Sequence, residues 1–254
     1  MKTLVVAQGK GGVGKTACAA HIAFFARDAG LRVLIVDLDT GNLSKTLADS
    51  AIGIASSELF SEGPPASLAA KPAGQGGGAL ELISADALLA NLVYLSLEAA
   101  LSRFVANLEA LSPGYDLCVI DTAPGLGIAL AAALHAADAV ISPVEMEDYS
   151  IEGIKFMMRT ILNARSRNPK LSFLGILPSR VDRRNPRQVG HLAQVQHAHE
   201  ALLVPFVIGL RSSVAEALAQ GVPVWTLRKT SARAAGAEMR ALGSYVVTKM
   251  GVAQ

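Results

Sequence analysis

Apolar residues in this chain come in short blocks that end abruptly at glycines or acids. Thr3-Leu4-Val5-Val6-Ala7 runs toward a glycine-rich stretch, and Arg32-Val33-Leu34-Ile35-Val36 runs into Asp37. Short apolar blocks bounded by turn residues predict buried strands. Residues 80–83, 116–120, 139–142 and 172–177 follow the same rule. The stretches between them predict helices at 15–29, 87–110, 126–137, 150–165, 187–202, 212–220 and 231–249. Gly30 closes the first of these. Strand alternating with helix predicts the α/β class, with a mostly parallel twisted sheet, helices on both faces, and one domain over residues 1–254. The stretch from about 51 to 78 breaks the alternation. It holds Gly63-Pro64-Pro65 and a glycine run at 74–78, and it predicts a flexible Gly/Pro-rich loop too short to be a domain. No internal repeat is present.

Composition narrows this picture without changing it. The chain has 254 residues, 51% of them hydrophobic, which is enough for one large core. Only 5% are aromatic, so Ala, Val, Leu and Ile must fill that core. A net charge of +2 neither demands nor excludes nucleic acid, so any such contact must come from a local basic patch. Cys18 and Cys118 have no metal-ligand spacing and sit among apolar residues, which predicts buried thiols in a reducing cytoplasm. The chain opens directly on a strand, so no signal peptide is expected. No charge-free apolar run approaches the length of a membrane span.

The chemistry concentrates after the first strand. Gly9 and Gly14-Lys15-Thr16 fit the pattern G-x-x-x-x-G-K-[ST], between a predicted strand and a predicted helix. Glycines let the backbone curl so that successive N–H groups point at phosphate oxygens, and the following helix adds its positive end. Lys15 is expected to reach the β- and γ-phosphates, and the Thr16 hydroxyl to bind Mg²⁺, so ATP or ADP with Mg²⁺ is the expected ligand. Lys10 is an extra cation in the same loop. It would repel Lys15 unless strong negative charge lay between them. One location that avoids this is across a dimer interface, touching the partner's nucleotide; the other is bulk solvent. Asp37, Asp39 and Asp121 fall at carboxyl ends of predicted strands, the edge where ligands bind in such sheets. There an Asp can hold Mg²⁺, orient an attacking water, or cap the next helix.

Lys10-Gly11-Gly12-Val13-Gly14-Lys15-Thr16 resembles the deviant Walker A motif of the ParA/MinD superfamily. Val36-Asp37-Leu38-Asp39-Thr40-Gly41-Asn42 is similar to the second signature of partition ATPases, and Val119-Ile120-Asp121-Thr122-Ala123-Pro124 to their Walker B strand and switch. Val204-Pro205, Arg211 and Gly221-Val222-Pro223-Val224 match the later pattern, so the resemblance covers essentially the whole chain. Gly209-Leu210-Arg211-Ser212-Ser213 and Gly221-Val222-Pro223-Val224-Trp225 narrow it to the IncC-type partition ATPases of broad-host-range plasmids. The resemblance implies a nucleotide site of Gly9, Lys10, Gly11, Gly12, Val13, Gly14, Lys15, Thr16 and Ala17, with Arg180 and Pro205 sandwiching the adenine. It implies catalytic roles for Lys10, Lys15 and Asp39, with Asp39 activating water, and a metal shell of Thr16, Asp37 and Asp121. The sequence departs from the pattern at Thr40, where relatives commonly carry Pro-Gln. That shortens the loop after Asp39 and puts the hydrolysis rate in question.

Basic residues gather late, at Arg211, Arg228, Lys229, Arg233 and Arg240, with Arg180, Arg183, Arg184 and Arg187 upstream. Their ordinary meaning is a solvated helix face. Binding to the phosphate backbone needs only Lys and Arg, whereas operator reading needs a reading helix, and none precedes the first strand. The resemblance implies non-specific DNA contacts through Arg211, Arg228, Lys229 and Arg233. It implies an ATP-dependent sandwich homodimer on DNA, released when a ParB-type centromere-binding protein stimulates hydrolysis. Such a protein would be cytoplasmic, nucleoid-associated, and without stable membrane association. Two other readings stay open. A MinD-like membrane-positioning ATPase would need an amphipathic C-terminal helix, and residues 245–254 are short and poor in charge. A metabolic or electron-transfer relative of the iron–sulfur kind would need surface cysteines, which the placing of Cys18 and Cys118 does not suit.

Overall fold

The structure is a computed structural model that describes residues 1–39, 42–65, 77–125, 127–148 and 150–252. Strands β1 (Lys2–Val6), β2 (Arg32–Leu38), β3 (Ala51–Ala55), β4 (Ala79–Ser84), β5 (Leu117–Thr122), β6 (Ala139–Glu145) and β7 (Ser172–Ser179) form one sheet in the order β3-β4-β2-β5-β1-β6-β7. Every pairing is parallel. The helices are α1 (Lys15–Asp28), α2 (Asn42–Thr46), α3 (Leu97–Leu111), α4 (Ile128–Ala136), α5 (Ser150–Arg165), α6 (Pro186–His199), α7 (Ser212–Ala219) and α8 (Thr230–Met250).

The twofold period of a strand explains the two layers. Along β1, Leu4 and Val6 pack on the side of α1, α7 and α8, while Val5, followed by Ala7, faces α3, α4 and α5. Both faces are covered, so the strands read as continuous apolar runs. With few aromatics, the helices come close. A Cβ added at Gly243 of α8 would overlap the Phe25 ring of α1, so glycine is what lets these helices meet. β1 sits between strands that follow it in sequence on both sides, so the chain leaves it at the crevice where such sheets bind ligands.

Three expectations need correction. The stretch from about 51 to 78 is not all loop: residues 51–55 are edge strand β3, and Ser56–Phe60 is a 3₁₀ turn with Leu59 and Phe60 buried. Its local glue is Glu58, whose carboxylate accepts the Ala55 N–H at 2.8 Å. Of that stretch, residues 66–76 lie outside the described residues, as does the Thr40-Gly41 step. The helix expected over 87–110 is two elements, a 3₁₀ helix Ala87–Tyr94 and then α3, because Ser96 caps a new start by accepting the Ala99 N–H at 3.2 Å. The helix expected over 187–202 ends as α6 at His199, followed by a 3₁₀ turn Glu200–Leu202.

Candidate functional site

The loop between β1 and α1 gathers the expected phosphate-binding residues at the carboxyl edge of the sheet. Gly12 and Gly14 have φ of 76° and 92°, a region that L side chains avoid, so the curl depends on glycine. Gly9 lies close under α5: a Cβ there would lie 2.7 Å from Cε1 of Phe156, whose ring would have to move. Val13 is buried and anchors the loop in the core. Lys15 is buried too, its Nζ donating to the Lys10 carbonyl at 3.2 Å. Burial lowers its pKa, while Asp121 and Asp39 pull it back up. Lys10 points elsewhere: its exposed ammonium pairs with Glu147 in the loop after β6.

The acidic residues divide the work. Asp37 and Asp121 are register partners on β2 and β5, both fully buried. Asp121 Oδ2 accepts the Thr16 hydroxyl at 2.6 Å, while its Oδ1 is buried without a partner among the described residues. Burial pushes the Asp121 carboxyl up to about 7, with the Thr16 bond opposing and Asp37 and Asp39 assisting. Asp37 is engaged by its own loop. Its Oδ1 accepts the Asp39 N–H at 3.0 Å, and its Oδ2 accepts the Ser44 N–H at 2.8 Å and the Ser44 hydroxyl at 2.7 Å. Those bonds tie Asp37 to the loop that carries Asp39. Ser44, Glu147 and the buried Gln8, which accepts the Gly9 N–H at 2.7 Å, have no motif in the sequence; only the fold brings them to the site.

Beside Gly14 lies a cavity of about 100 Å³ lined by Ala17, Ser179, Arg180 and residues 208–211. Arg180 adopts φ of 56°, the one non-glycine positive φ among the described residues, and its Nε lies 3.7 Å from Glu145. Pro205 does not line this cavity. The segment that carries it runs parallel to β7, with Leu203 beside Ile176 and Gly209 beside Val181, so Pro205 lies alongside the last residues of β7. The wall opposite Arg180 is made by residues 208–211 instead.

The chain matches the AAA domain family over residues 1–173. Protein IncC of Escherichia coli is 52% identical over 259 residues, covering 100% of this chain and 71% of that protein. The chromosome partitioning protein ParA of Caulobacter vibrioides is 33% identical over 238 residues, covering 88% of this chain and 86% of that protein. This chain belongs to the ParA/MinD family. Its fold is also that of cobyrinic acid a,c-diamide synthase from Mycobacterium smegmatis, solved with bound ADP and magnesium, at TM-score 0.75 and 26% identity over 99% of this chain and 96% of that one.

Within this ParA/MinD chain the late basic residues are not equivalent. Arg228 and Arg233 are exposed and make no ion pair among the described residues. Lys229 reaches Glu216 at 2.5 Å across exposed surface. Arg211 is held inside the molecule: its Nε and Nη2 donate to Glu238 of α8 at 3.0 and 2.6 Å, and the same carboxylate accepts the Gly209 N–H at 3.0 Å. Arg211 therefore builds the cavity wall rather than offering a free guanidinium to DNA. The large apolar residues of α8, Met239, Leu242, Val246, Val247 and Met250, are buried in the core, and the helix exposes only alanines of its apolar set at Ala234, Ala237 and Ala241. Among the described residues no helix is long and apolar enough to cross one. Both thiols are buried, and burial pushes Cys18 up to about 12 and Cys118 higher, so neither faces the surface that a shared cluster would need.

Proposed function

We propose that this protein is a DNA-partition ATPase that hydrolyses ATP slowly with Mg²⁺ and binds DNA without sequence preference in its ATP-bound dimer. The observation that carries the reading is the pair of lysines in one loop: Lys15 is buried within the field of Asp121, while Lys10 stands outside the same pocket. Thr16 and Asp121 would hold the magnesium ion. The unpartnered, buried Oδ1 of Asp121 fits that role, since an orphaned carboxylate oxygen is costly unless a cation or its water satisfies it. When bound, the ion neutralises charge on the β- and γ-phosphates. Lys15 binds those phosphates, Asp39 orients the water, and Asp37 holds the loop that aims Asp39.

Self-association is supported by the surface beside Asp39. An apolar groove of about 600 Å³ opens there, with Val93 on its wall, and Leu88, Val93 and Tyr94 are 59%, 72% and 86% exposed. Lys10 would leave Glu147 to meet the partner's phosphates. Arg228, Lys229 and Arg233 would hold the DNA backbone, Arg180 and residues 208–211 the base, and a ParB-type protein would trigger release. The protein would then reside in the cytoplasm on the nucleoid. A gel-shift series over rising salt, with ATP, with ADP and without nucleotide, tests the reading. Binding is expected with ATP alone and should fall steeply with salt, with a log–log slope of about −0.9 per phosphate neutralised. Equal binding without nucleotide would falsify it.

A further inference from the structure

His21 is wholly buried in α1, less than two turns beyond Lys15 and Thr16. Its Nδ1 lies 2.8 Å from the Ala17 carbonyl oxygen, and its Nε2 lies 3.1 Å from the Val224 backbone nitrogen. An imidazole nitrogen facing an N–H must accept, so Nε2 is bare and Nδ1 carries the hydrogen that goes to Ala17. One neutral tautomer satisfies both neighbours, and burial lowers the pKa to about 4 in keeping with it. Ala17 borders the cavity beside the phosphate loop. Val224 opens the 3₁₀ turn Val224–Thr226, and Arg228, Lys229 and α8 follow directly.

That turn is fastened on several sides. Trp225, the single tryptophan of the chain, has its ring 5.8 Å from that of His21. Its Nε1 donates to Asp28 at the far end of α1 at 3.0 Å, and the Arg240 guanidinium of α8 lies 5.4 Å from its ring. A Cβ added at Gly236 would sit 3.1 Å from Trp225 Cβ, so the turn packs closely on α8 at a glycine. An apolar aromatic residue would supply a ring at His21 without either hydrogen bond. It would not join the Ala17 carbonyl to the Val224 N–H.

We infer that His21 is a positioning residue that carries the state of the nucleotide site from the first turn of α1 to the Val224–Thr226 turn, and through it sets the start of α8 for DNA. The inference rests on the reading of Arg228, Lys229 and Arg233 as the DNA-holding residues. Phosphates drawn to Lys15 and Thr16 shift the Ala17 carbonyl; the imidazole, held at both nitrogens, shifts Val224 with it.

The test compares wild type, His21→Phe and His21→Gln for affinity for a non-hydrolysable ATP analogue with Mg²⁺, for Trp225 emission on adding it, and for affinity to a duplex of arbitrary sequence in its presence. His21→Phe should bind the analogue as wild type does, lose the Trp225 response, and bind DNA about tenfold more weakly, a usual size for coupling between sites. His21→Gln, whose amide offers both a donor group and an acceptor oxygen, should recover part of both. Val224→Pro is the second probe should His21→Phe not fold. It replaces the N–H that His21 accepts with a ring carbon that cannot donate and that presses on the imidazole, and it exchanges the buried Val224 side chain for a smaller ring; the site is the first position of a helical turn, where proline is tolerated, and Pro223 before it already has extended φ and ψ of −65° and 139°. It should uncouple in the same way. Variants that keep the Trp225 response and wild-type DNA affinity overturn the inference, as does a wild type whose Trp225 is silent to nucleotide. A wild type that responds through Trp225 yet never binds DNA overturns the DNA reading instead, and loss of the response in the variants then still supports the His21 link.

Discussion

Burial acts on Asp121 and His21 in opposite senses, and the two can be separated by pH. The Asp121 carboxyl is raised to about 7, so its stabilising contribution is present in acid and is lost as pH rises through that value. The His21 imidazole is lowered to about 4 from an ordinary 6.5, so its contribution is present above about 6.5 and is lost as pH falls through about 4. Wild type and His21→Phe share Asp121, so its effect cancels in their difference. Between about pH 7 and about pH 4 the unfolding free energy of wild type should fall by ~3 kcal/mol more than that of His21→Phe. Urea unfolding of both proteins without nucleotide or metal measures this, and parallel pH profiles would refute the buried neutral tautomer. At this scale the sequence is readable where chemistry is local. Gly14-Lys15-Thr16 is legible because a phosphate cradle needs adjacent residues. His21 is not, because its partner Val224 is 203 positions away.

Among elements, the sharpest contrast is between two arginines that read alike in the sequence. Arg211 precedes α7 and is clamped by Glu238 on α8, whereas Arg233 stands exposed on the first turns of α8. Arg211→Ala should cost about 1–2 kcal/mol of stability, since it leaves a half-buried carboxylate without its charged partner. It should leave the salt dependence of DNA binding unchanged. Arg233→Ala should do the reverse, leaving the melting temperature near wild type and reducing the salt slope by about one unit. Thermal melts and a salt titration on each variant would show a swapped outcome at once. The same contrast explains which elements were legible. β1, β2, β5 and β6 are buried on both faces and announce themselves as apolar blocks. The edge strand β3 does not: only Ile54 of its residues is buried, and Gly53 sits within it at φ of 79°. The boundary at Ser96 was missed because the apolar residues on either side of it run on without a glycine or proline. Pro205 is a strong local signal in the sequence, while the wall of the cavity beside Gly14 is legible only from how residues 208–211 pair alongside β7.

For the whole molecule, the orientation of Lys10 decides what a single chain can do. In one chain its ammonium meets Glu147, and both side chains are about half exposed. Such a pair contributes little in water, and a polyphosphate offers far more charge. A second copy presenting its nucleotide would therefore draw Lys10 away at small cost, whereas Lys15, buried and bonded to the Lys10 carbonyl, has no such freedom. Lys10→Ala should bind ADP and ATP as wild type does but remain a monomer with ATP. Lys15→Ala should lose nucleotide binding altogether. Asp39→Ala, with phosphate contacts intact and water orientation gone, should dimerise with ATP and persist as a dimer on DNA. Light scattering after sizing, with ADP, ATP and a non-hydrolysable analogue, distinguishes the three. A Lys10→Ala protein that dimerises with ATP would return Lys10 to the role of a solvated surface cation, and the groove beside Asp39 would then need another partner. An Asp39→Ala protein that hydrolyses ATP at the wild-type rate would remove Asp39 from the chemistry, since alanine keeps the backbone N–H that Asp37 accepts and loses only the carboxylate.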